Sequence, residues 1–322
     1  MRIEPDAKFG AFFLSRCDVA PDVPTEEEIE PGLWISRRLG LDIPDHWRTW
    51  LGSLETDEMR KDGLGMYVTA PSAHPEENNG ENVALQGRAN DLLNGLLLQG
   101  VPRIERGFVA HGVNREGSVQ IRGYSPMDHH YRTAGIEFAV GMREVRRALI
   151  LASRLRQIED SQEKHWGRLI RGTRTLLLAN RQSNEVGDRV HQFVRALEGV
   201  IKPRIGGSRN DFAHKGQTLA LNNAETRDVL LQLYDLRSHV EHLNVPTDAL
   251  SPGGTEAQRR EIVNRRTRQA DALARFAFIR ILESPELLEM FRTDAQVGTF
   301  WRTDYRQRVR LWGDRLDILA IR

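Results

Sequence analysis

Several side chains that could carry out acid–base chemistry lie near the end of one predicted helix, in the stretch LYDLRSHVEHLN. The stretch holds a fixed cation, a carboxylate, a hydroxyl and two imidazoles, which are Arg237, Glu241, Ser238, His239 and His242. One interpretation is an active site. The other is a solvated helix end, where Arg237 and Glu241 form an i,i+4 ion pair and the histidines favour the negative end of the helix dipole.

The spacing of Arg237 and His242, with four residues between them, carries little information by itself. Arginine is abundant in this chain, so the spacing recurs by chance, and three such pairs occur: Arg106/His111, Arg209/His214 and Arg237/His242. The first flanks a predicted strand, RGFVAH, and the second lies in a loop that runs into a short predicted helix, GGSRNDFAHKG. The third is the pair at the end of a strongly amphipathic helix, which makes its context the most favourable.

A helical wheel shows how that helix directs its side chains. At about 100° per residue, one stripe is apolar and is predicted to face the core: Val229, Leu233, Leu236, Val240 and Leu243. Arg237 lies at the edge of this stripe, and His242 lies about 140° away from Arg237. The two can converge only through a bent helix end, a long reach of the arginine, or a second protomer.

Composition indicates an ordinary globular protein. The chain has 322 residues, 39% hydrophobic and 28% charged, which is long enough for two domains. No apolar run approaches the roughly 20 residues of a membrane span, and the N-terminus does not have the pattern of a secretion signal. The single cysteine, Cys17, excludes an intrachain disulfide and a cysteine-based zinc cluster. We therefore expect a cytoplasmic protein without membrane association.

The net charge of +1 hides an asymmetry between the two halves of the chain. Residues 1–150 carry a net charge of −6, and residues 151–322 carry +7. The C-terminal half therefore produces a positive field that attracts anions such as nucleic acid.

The patterning predicts a mainly α protein with two domains. Residues 1–135 form an α+β domain with strands at 65–70, 107–112 and 118–124, a helix at 83–98, a polar loop at 70–82 and an acidic linker at 21–32. Residues 136–322 form an all-helical bundle, with one or two helices in 136–182 and further helices at 188–203, 223–243, 255–282 and 284–291.

The helical region, roughly residues 136–290, resembles the HEPN superfamily (higher eukaryotes and prokaryotes nucleotide-binding domains). The family signature is an Arg, then four to six residues, then a His near the end of a bundle helix, and LLQLYDLRSHVEHLN has this form. The upstream segment RVHQFVRALEGVIKP, with Glu198 inside an apolar stripe, resembles the partner helix that precedes it. Residues 1–135 carry no such resemblance.

Many HEPN proteins are metal-independent ribonucleases that act as homodimers with their Arg/His pairs meeting at the interface. The resemblance implies that Arg237 holds the scissile phosphate and that His242 is the general acid or base for attack by the RNA 2′-OH. It also implies RNA as the substrate, no metal and no cofactor. A toxin or anti-phage effector is expected, with an N-terminal domain that senses or restrains it, and with a partner or antitoxin protein as a further expectation.

Alternatives remain open. Arg209 and His214 have the Arg-Asn start that is common in the family, and they become the working pair if 208–214 is helical. A basic stretch of the predicted helix 255–282 suits phosphate contacts or a solvated face: Arg259, Arg260, Arg265 and Arg266. His129 and His130 could be metal ligands or loop surface. From a different functional class, the chain could be a non-catalytic HEPN-like dimer that binds nucleic acid or nucleotide, or acts as a scaffold.

Overall fold

The computed structural model describes residues 2–15, 17–41, 43, 45–102, 106–127, 137–161, 165–181, 186–250 and 253–322. The described residues fall into two compact units, and the division lies after Ala152. Eight strands and eleven α-helices are assigned among them, so the fold is mainly α with an α+β N-terminal region, as the sequence predicts. None of the described helices is both long enough and apolar enough to cross a bilayer.

The N-terminal unit contains a six-stranded antiparallel sheet with the order β2-β3-β4-β1-β6-β7. Its strands are β1 (Ala7–Ser15), β2 (Glu26–Glu30), β3 (Leu33–Ser36), β4 (Gly63–Pro71), β6 (Arg106–Arg115) and β7 (Ser118–Met127). Two short strands, β5 (Val101–Pro102) and β8 (Glu137–Phe138), pair separately. The three predicted strands are confirmed, and β6 and β7 form a hairpin. The interpretation of 21–32 as a linker is wrong in part, because EEEIE forms an edge strand whose charges suit a solvated sheet edge.

Strand β1 is the centre of this sheet, and all nine of its residues are buried. Alternate side chains, including Phe9 and Phe13, enter the main core. On the opposite face lies α2 (Gly80–Gln99), which confirms the helix predicted at 83–98. It approaches so closely that a Cβ at Gly10 would lie 2.3 Å from the backbone carbon of Leu85. A second helix, α1 (Asp45–Glu58), was not predicted.

The C-terminal unit is a helical bundle built around α5. The division between the two units falls within α3 (Met142–Glu159). The helices that follow are α4 (Gly167–Arg181), α5 (Val186–Ile201), α6 (Ser208–Leu219), α7 (Ala224–Glu241), α8 (Glu256–Glu283), α9 (Pro285–Met290), α10 (Asp294–Arg302) and α11 (Tyr305–Trp312). Helix α5 packs against α4, α7 and α8. The five predicted helical segments are confirmed, and 136–182 contains two helices.

Charged groups are buried inside this bundle. Nε of Arg275 donates to Oδ1 of Asp271 at 2.7 Å, and both side chains are almost fully buried. Arg189 of α5 is also buried, and its guanidinium lies 5.9 Å from the ring centroid of Phe193. Taking charges out of water costs free energy unless they are paired, so loss of either partner of the Arg275–Asp271 pair should destabilise the helical unit.

Candidate functional site

Helix α7 and its C-cap residue carry the Arg237/His242 pair selected from the sequence. The side chain of Asn223 caps its first turn by accepting a hydrogen bond from the Thr226 amide at 2.7 Å. The helix ends at Glu241, and His242 is the C-cap residue. Leu243 follows with a φ of 60° and is 96% exposed. Its predicted place in the core is therefore wrong, because the helix ends two residues before it.

Arg237 is held between two carboxylates on two helices. Its Nη2 lies 3.2 Å from Oε2 of Glu198 on α5, and its Nη1 donates to Oε2 of Glu241 one turn later on α7. The side chains of Arg237 and Glu198 are each 17% exposed, whereas that of Glu241 is 45% exposed. The Tyr234 ring centroid lies 6.0 Å from the guanidinium carbon. The predicted i,i+4 ion pair is confirmed, and the guanidinium is pre-positioned at the edge of the core.

The surroundings of Glu198, the inner carboxylate, change its pKa. Burial raises the pKa of Glu198, although the charge and hydrogen bond of Arg237 act in the opposite direction. Glu198 therefore takes up a proton at a higher pH than an exposed glutamate does. When it does, Arg237 keeps the outer carboxylate, Glu241, as its partner.

His191 belongs to the same cluster, and the sequence analysis missed it. His191, Arg195 and Glu198 are spaced i, i+4 and i+7 on α5, which places them along one face. Burial lowers the pKa of His191, and the charges of Arg237 and Arg195 lower it further while Asp188 opposes them. The imidazole is therefore neutral at pH 7 and can accept a proton. The usable signal was the seven-residue spacing between His191 and Glu198.

His242 is not joined to this cluster by any of the described contacts. It is exposed, and the described contacts do not join it to Arg237, in agreement with the wheel. His239 is half-buried, with Nδ1 3.2 Å from the carbonyl oxygen of Asp235, and Ser238 is half-buried. The surface next to His242 is apolar: Leu243 and Val245 are 96% and 59% exposed.

The alternative pair, Arg209 and His214, lies on α6, so the condition that 208–214 be helical is met. The two side chains nevertheless have different environments. Arg209 forms two hydrogen bonds with Asp235 of α7, at 2.6 and 2.7 Å. His214 is exposed and lines a cleft to which Arg209 does not contribute. A single chain therefore does not bring this pair together.

That cleft is strongly basic. It has a volume of about 730 Å³. Its cationic lining residues come from α4, the turn after α5, α6, α10 and α11, and they are Arg168, Lys202, Arg204, Lys215, Arg302 and Arg308. One acidic residue, Asp211, is among the lining residues. The sequence carries no local signal of this cleft, because its cations are spread over 140 positions of the chain.

The arginines selected on α8 have different environments. Arg260 is exposed and pairs with Glu256 one turn earlier, Arg265 is exposed and Arg259 is half-buried. Arg266 is buried, where it donates to Gln232 and Gln269 at 2.8 and 2.7 Å. Burial lowers the pKa of Arg266 to about 10. Arg266 therefore joins α7 to α8 instead of facing the solvent.

Other residues considered from the sequence have simpler explanations. Trp301 and Trp312 are buried in the helical unit. His129 and His130 lie outside the described residues. In the described part of the chain, one group of metal-ligand atoms lies within 4.8 Å of one another, and it consists of the exposed residues His74, Glu76 and Glu77. Exposure on a loop leaves these carboxylates hydrated, so we assign no ion to them.

Comparisons of the chain with protein-family models, curated proteins and solved structures gave no match.

Proposed function

We propose that the helical unit is a HEPN-type, metal-independent endoribonuclease that acts as a homodimer. The observation that carries the proposal is the arrangement at the end of α7. A pre-positioned Arg237 lies there between Glu198 and Glu241, and an exposed His242 follows five residues later. An activity of this kind suits a toxin or an anti-phage effector.

Arg237 would bind the scissile phosphate. A guanidinium contacts a phosphate through charge-assisted hydrogen bonds, and it stabilises the extra negative charge of the transition state. The mostly covered Glu198 would set the direction of the guanidinium. The more exposed Glu241 occupies Nη1 and must yield that donor to the incoming phosphate.

His242 would move protons. An imidazole removes the proton from the 2′-OH, the 2′ oxygen bonds to phosphorus, and the bond from phosphorus to the 5′ oxygen breaks. The protonated imidazole then returns the proton to the departing 5′ oxygen, which leaves a 2′,3′-cyclic phosphate and a 5′-OH. A two-fold axis at the end of α7 brings the same patch of both chains together and would cover Leu243 and Val245, which are exposed in the single chain.

A second candidate is a non-catalytic HEPN-like dimer that binds nucleic acid or nucleotide. The observation that favours it is that both Nη atoms of Arg237 already have carboxylate partners within the chain. In this case Arg237 joins α5 to α7, and the charge of the helical unit, not a catalytic pair, attracts RNA.

The test incubates the full chain with a labelled unstructured RNA in EDTA, beside Arg237→Ala and His242→Ala variants. Loss of cleavage in both variants, with His239→Ala as a matched control that still cleaves, supports the proposal. Cleavage that both variants retain overturns it, and the Arg209 and His214 variants are then compared. A folded, dimeric parent that binds RNA without cleaving it supports the second candidate.

Mixing the two inactive variants tests whether the site is shared between protomers. If Arg237 of one chain works with His242 of the other, a mixed dimer contains one intact site and one doubly altered site. We therefore expect each mixed dimer to cleave RNA at up to about half of the rate of a parent dimer. No recovery after subunit exchange, shown by mass or fluorescence, would place the pair within one chain.

A further inference from the structure

The basic cleft contains more positive charge than its own carboxylate can balance. Asp211 is buried and already accepts hydrogen bonds from Nζ of Lys215 at 2.6 Å and the amide of Arg204 at 2.9 Å. Burial raises the pKa of Asp211, but these hydrogen bonds outweigh it and lower the pKa overall. Asp211 therefore stays ionised, yet it balances one cation of the six.

Among the remaining cations, Arg168 and Lys202 lie 3.8 and 3.4 Å from carboxylate oxygens of Asp294, so two carboxylates oppose the six cations. Neutral groups supply further contacts. Arg168 donates to the carbonyl oxygens of Glu198 and Gly199 at 2.9 and 3.0 Å. Arg308 is 5% exposed and donates to the carbonyls of Trp301 and Thr303. Its Nε is buried without a hydrogen-bond partner. A buried guanidinium held by carbonyls keeps its whole charge, and that charge is stabilised when an anion enters the cleft.

A second basic cavity shares the lining residue Arg168 with the first. Its volume is about 410 Å³, and it is also lined by Arg171, Arg174 and Arg195. The acidic residue among its lining residues is Glu198, the carboxylate that holds Arg237. The two cavities are therefore neighbours at Arg168, and the second has the carboxylate partner of the proposed catalytic arginine in its lining.

The size and charge of the two cavities indicate a ligand with several phosphates. A pocket for one small ligand typically occupies about 300–1,000 Å³, so the first cavity alone is large enough for a nucleotide. The second adds room and cations in one direction. The Trp301 ring has Lys215 and Arg308 as neighbours, 5.7 and 5.8 Å from its centroid, so its faces are occupied by cations. These contacts suit a phosphate backbone more than stacked bases.

We infer that the two cavities joined at Arg168 form one binding path for the phosphate backbone of single-stranded RNA, leading to Arg237. The choice of RNA rests on the proposed function, whereas the path itself rests on the cavities and their cations. Because the contacts are to phosphates, binding does not depend on base sequence, and it weakens as salt rises.

The test is binding of a labelled, unstructured RNA to the full chain in EDTA over a series of salt concentrations. Exposed positions are chosen so that the variants fold: Arg302→Gln in the first cavity and Arg171→Gln in the second. Two controls are Arg38→Gln, an exposed arginine of the N-terminal unit, and Arg260→Gln on α8. His242→Ala protein is used in parallel so that cleavage does not affect the measurement.

We expect each path variant to weaken binding several-fold and the double variant to weaken it more than tenfold. For single-stranded nucleic acid, each phosphate contact contributes about 0.7 to the steepness with which log K falls against log salt concentration. Loss of two contacts in the double variant should therefore reduce that steepness by about 1.4. Both controls bind as the parent does. A double variant with the parent's affinity and slope overturns the inference, as does competition by adenosine 5′-monophosphate as strong as that of a ten-nucleotide strand.

The outcomes separate this inference from the proposed function. Binding that depends on Arg171 and Arg302 in a protein that never cleaves RNA keeps the path and removes the catalytic proposal. Cleavage that depends on His242, with binding that ignores both arginines, keeps the catalytic proposal and removes the path. Loss of affinity in Arg260→Gln instead places the RNA on α8 and also overturns the inference.

Discussion

Nη2 of Arg237 lies 3.2 Å from Oε2 of Glu198, although the two residues are 39 positions apart in the chain. This contact joins α5 to α7 at the edge of the core and leaves the other Nη with Glu241. The inner carboxylate is mostly covered and the outer one is about half exposed. Glu198 and Glu241 are therefore expected to influence the binding of a phosphate by Arg237 in different ways.

Neutralising the outer glutamate should increase RNA cleavage. In Glu241→Gln, Nη1 no longer has a competing carboxylate, and a partly exposed ion pair is worth about 0.2–1 kcal/mol. We expect kcat/KM to rise up to about fivefold. Glu198→Gln should lower it about tenfold, because a partner of a mostly buried charge pair is lost. Single-turnover cleavage rates in EDTA measure both effects, and equal effects of the two variants would contradict the assignment.

The neutral state of His191 predicts a pH dependence of stability. Its pKa is lowered below the ordinary value of 6.5 in the folded chain, first by burial and then by Arg237 and Arg195. Between that lowered pKa and 6.5 the unfolded chain binds more protons, so stability rises with pH. The contribution is complete above 6.5 and is lost as pH falls through the folded-state pKa. Urea unfolding across this range should show a smaller slope for His191→Gln than for the parent.

The buried charge pair in α8 should be sensitive to removal of its carboxylate. Asp271→Asn leaves Arg275 buried without its 2.7 Å partner, and breaking a buried pair typically costs about 3–5 kcal/mol. The matched control is Glu256→Gln, which breaks the exposed i,i+4 pair with Arg260 and should cost less than about 1 kcal/mol. Urea denaturation gives both free energies of unfolding. Similar values for the two variants would show that the buried pair is not structural.

Two glycines of the N-terminal unit should respond to alanine in opposite directions. At Gly10 in β1 the added Cβ would lie 2.3 Å from the backbone of Leu85, so α2 must move away and stability falls by about 1–3 kcal/mol. At Gly87 in α2 the added Cβ meets nothing within 4 Å, so stability rises by about 0.5–1 kcal/mol. Thermal and urea unfolding of the two variants compare them directly. A stable Gly10→Ala protein would show that the close approach of α2 is not needed.

The sequence by itself determined what depends on near neighbours. Helices α5, α7 and α8 follow from apolar periodicity. The Arg237–Glu241 pair follows from an i,i+4 spacing, and the divergence of Arg237 and His242 follows from the helical pitch. These features depend on the local helical conformation alone and can be predicted without knowing which elements pack against the helix.

Only the tertiary structure decided which distant residues meet. Strand β1 is buried on both faces, so it lacks the alternation that identifies a half-buried strand. The contact of Glu198 with Arg237 depends on how α5 packs against α7, and the basic cleft depends on elements from α4 to α11. Packing is the physical reason, because burial, hydrogen bonding and charge together select among many compatible arrangements of the same helices.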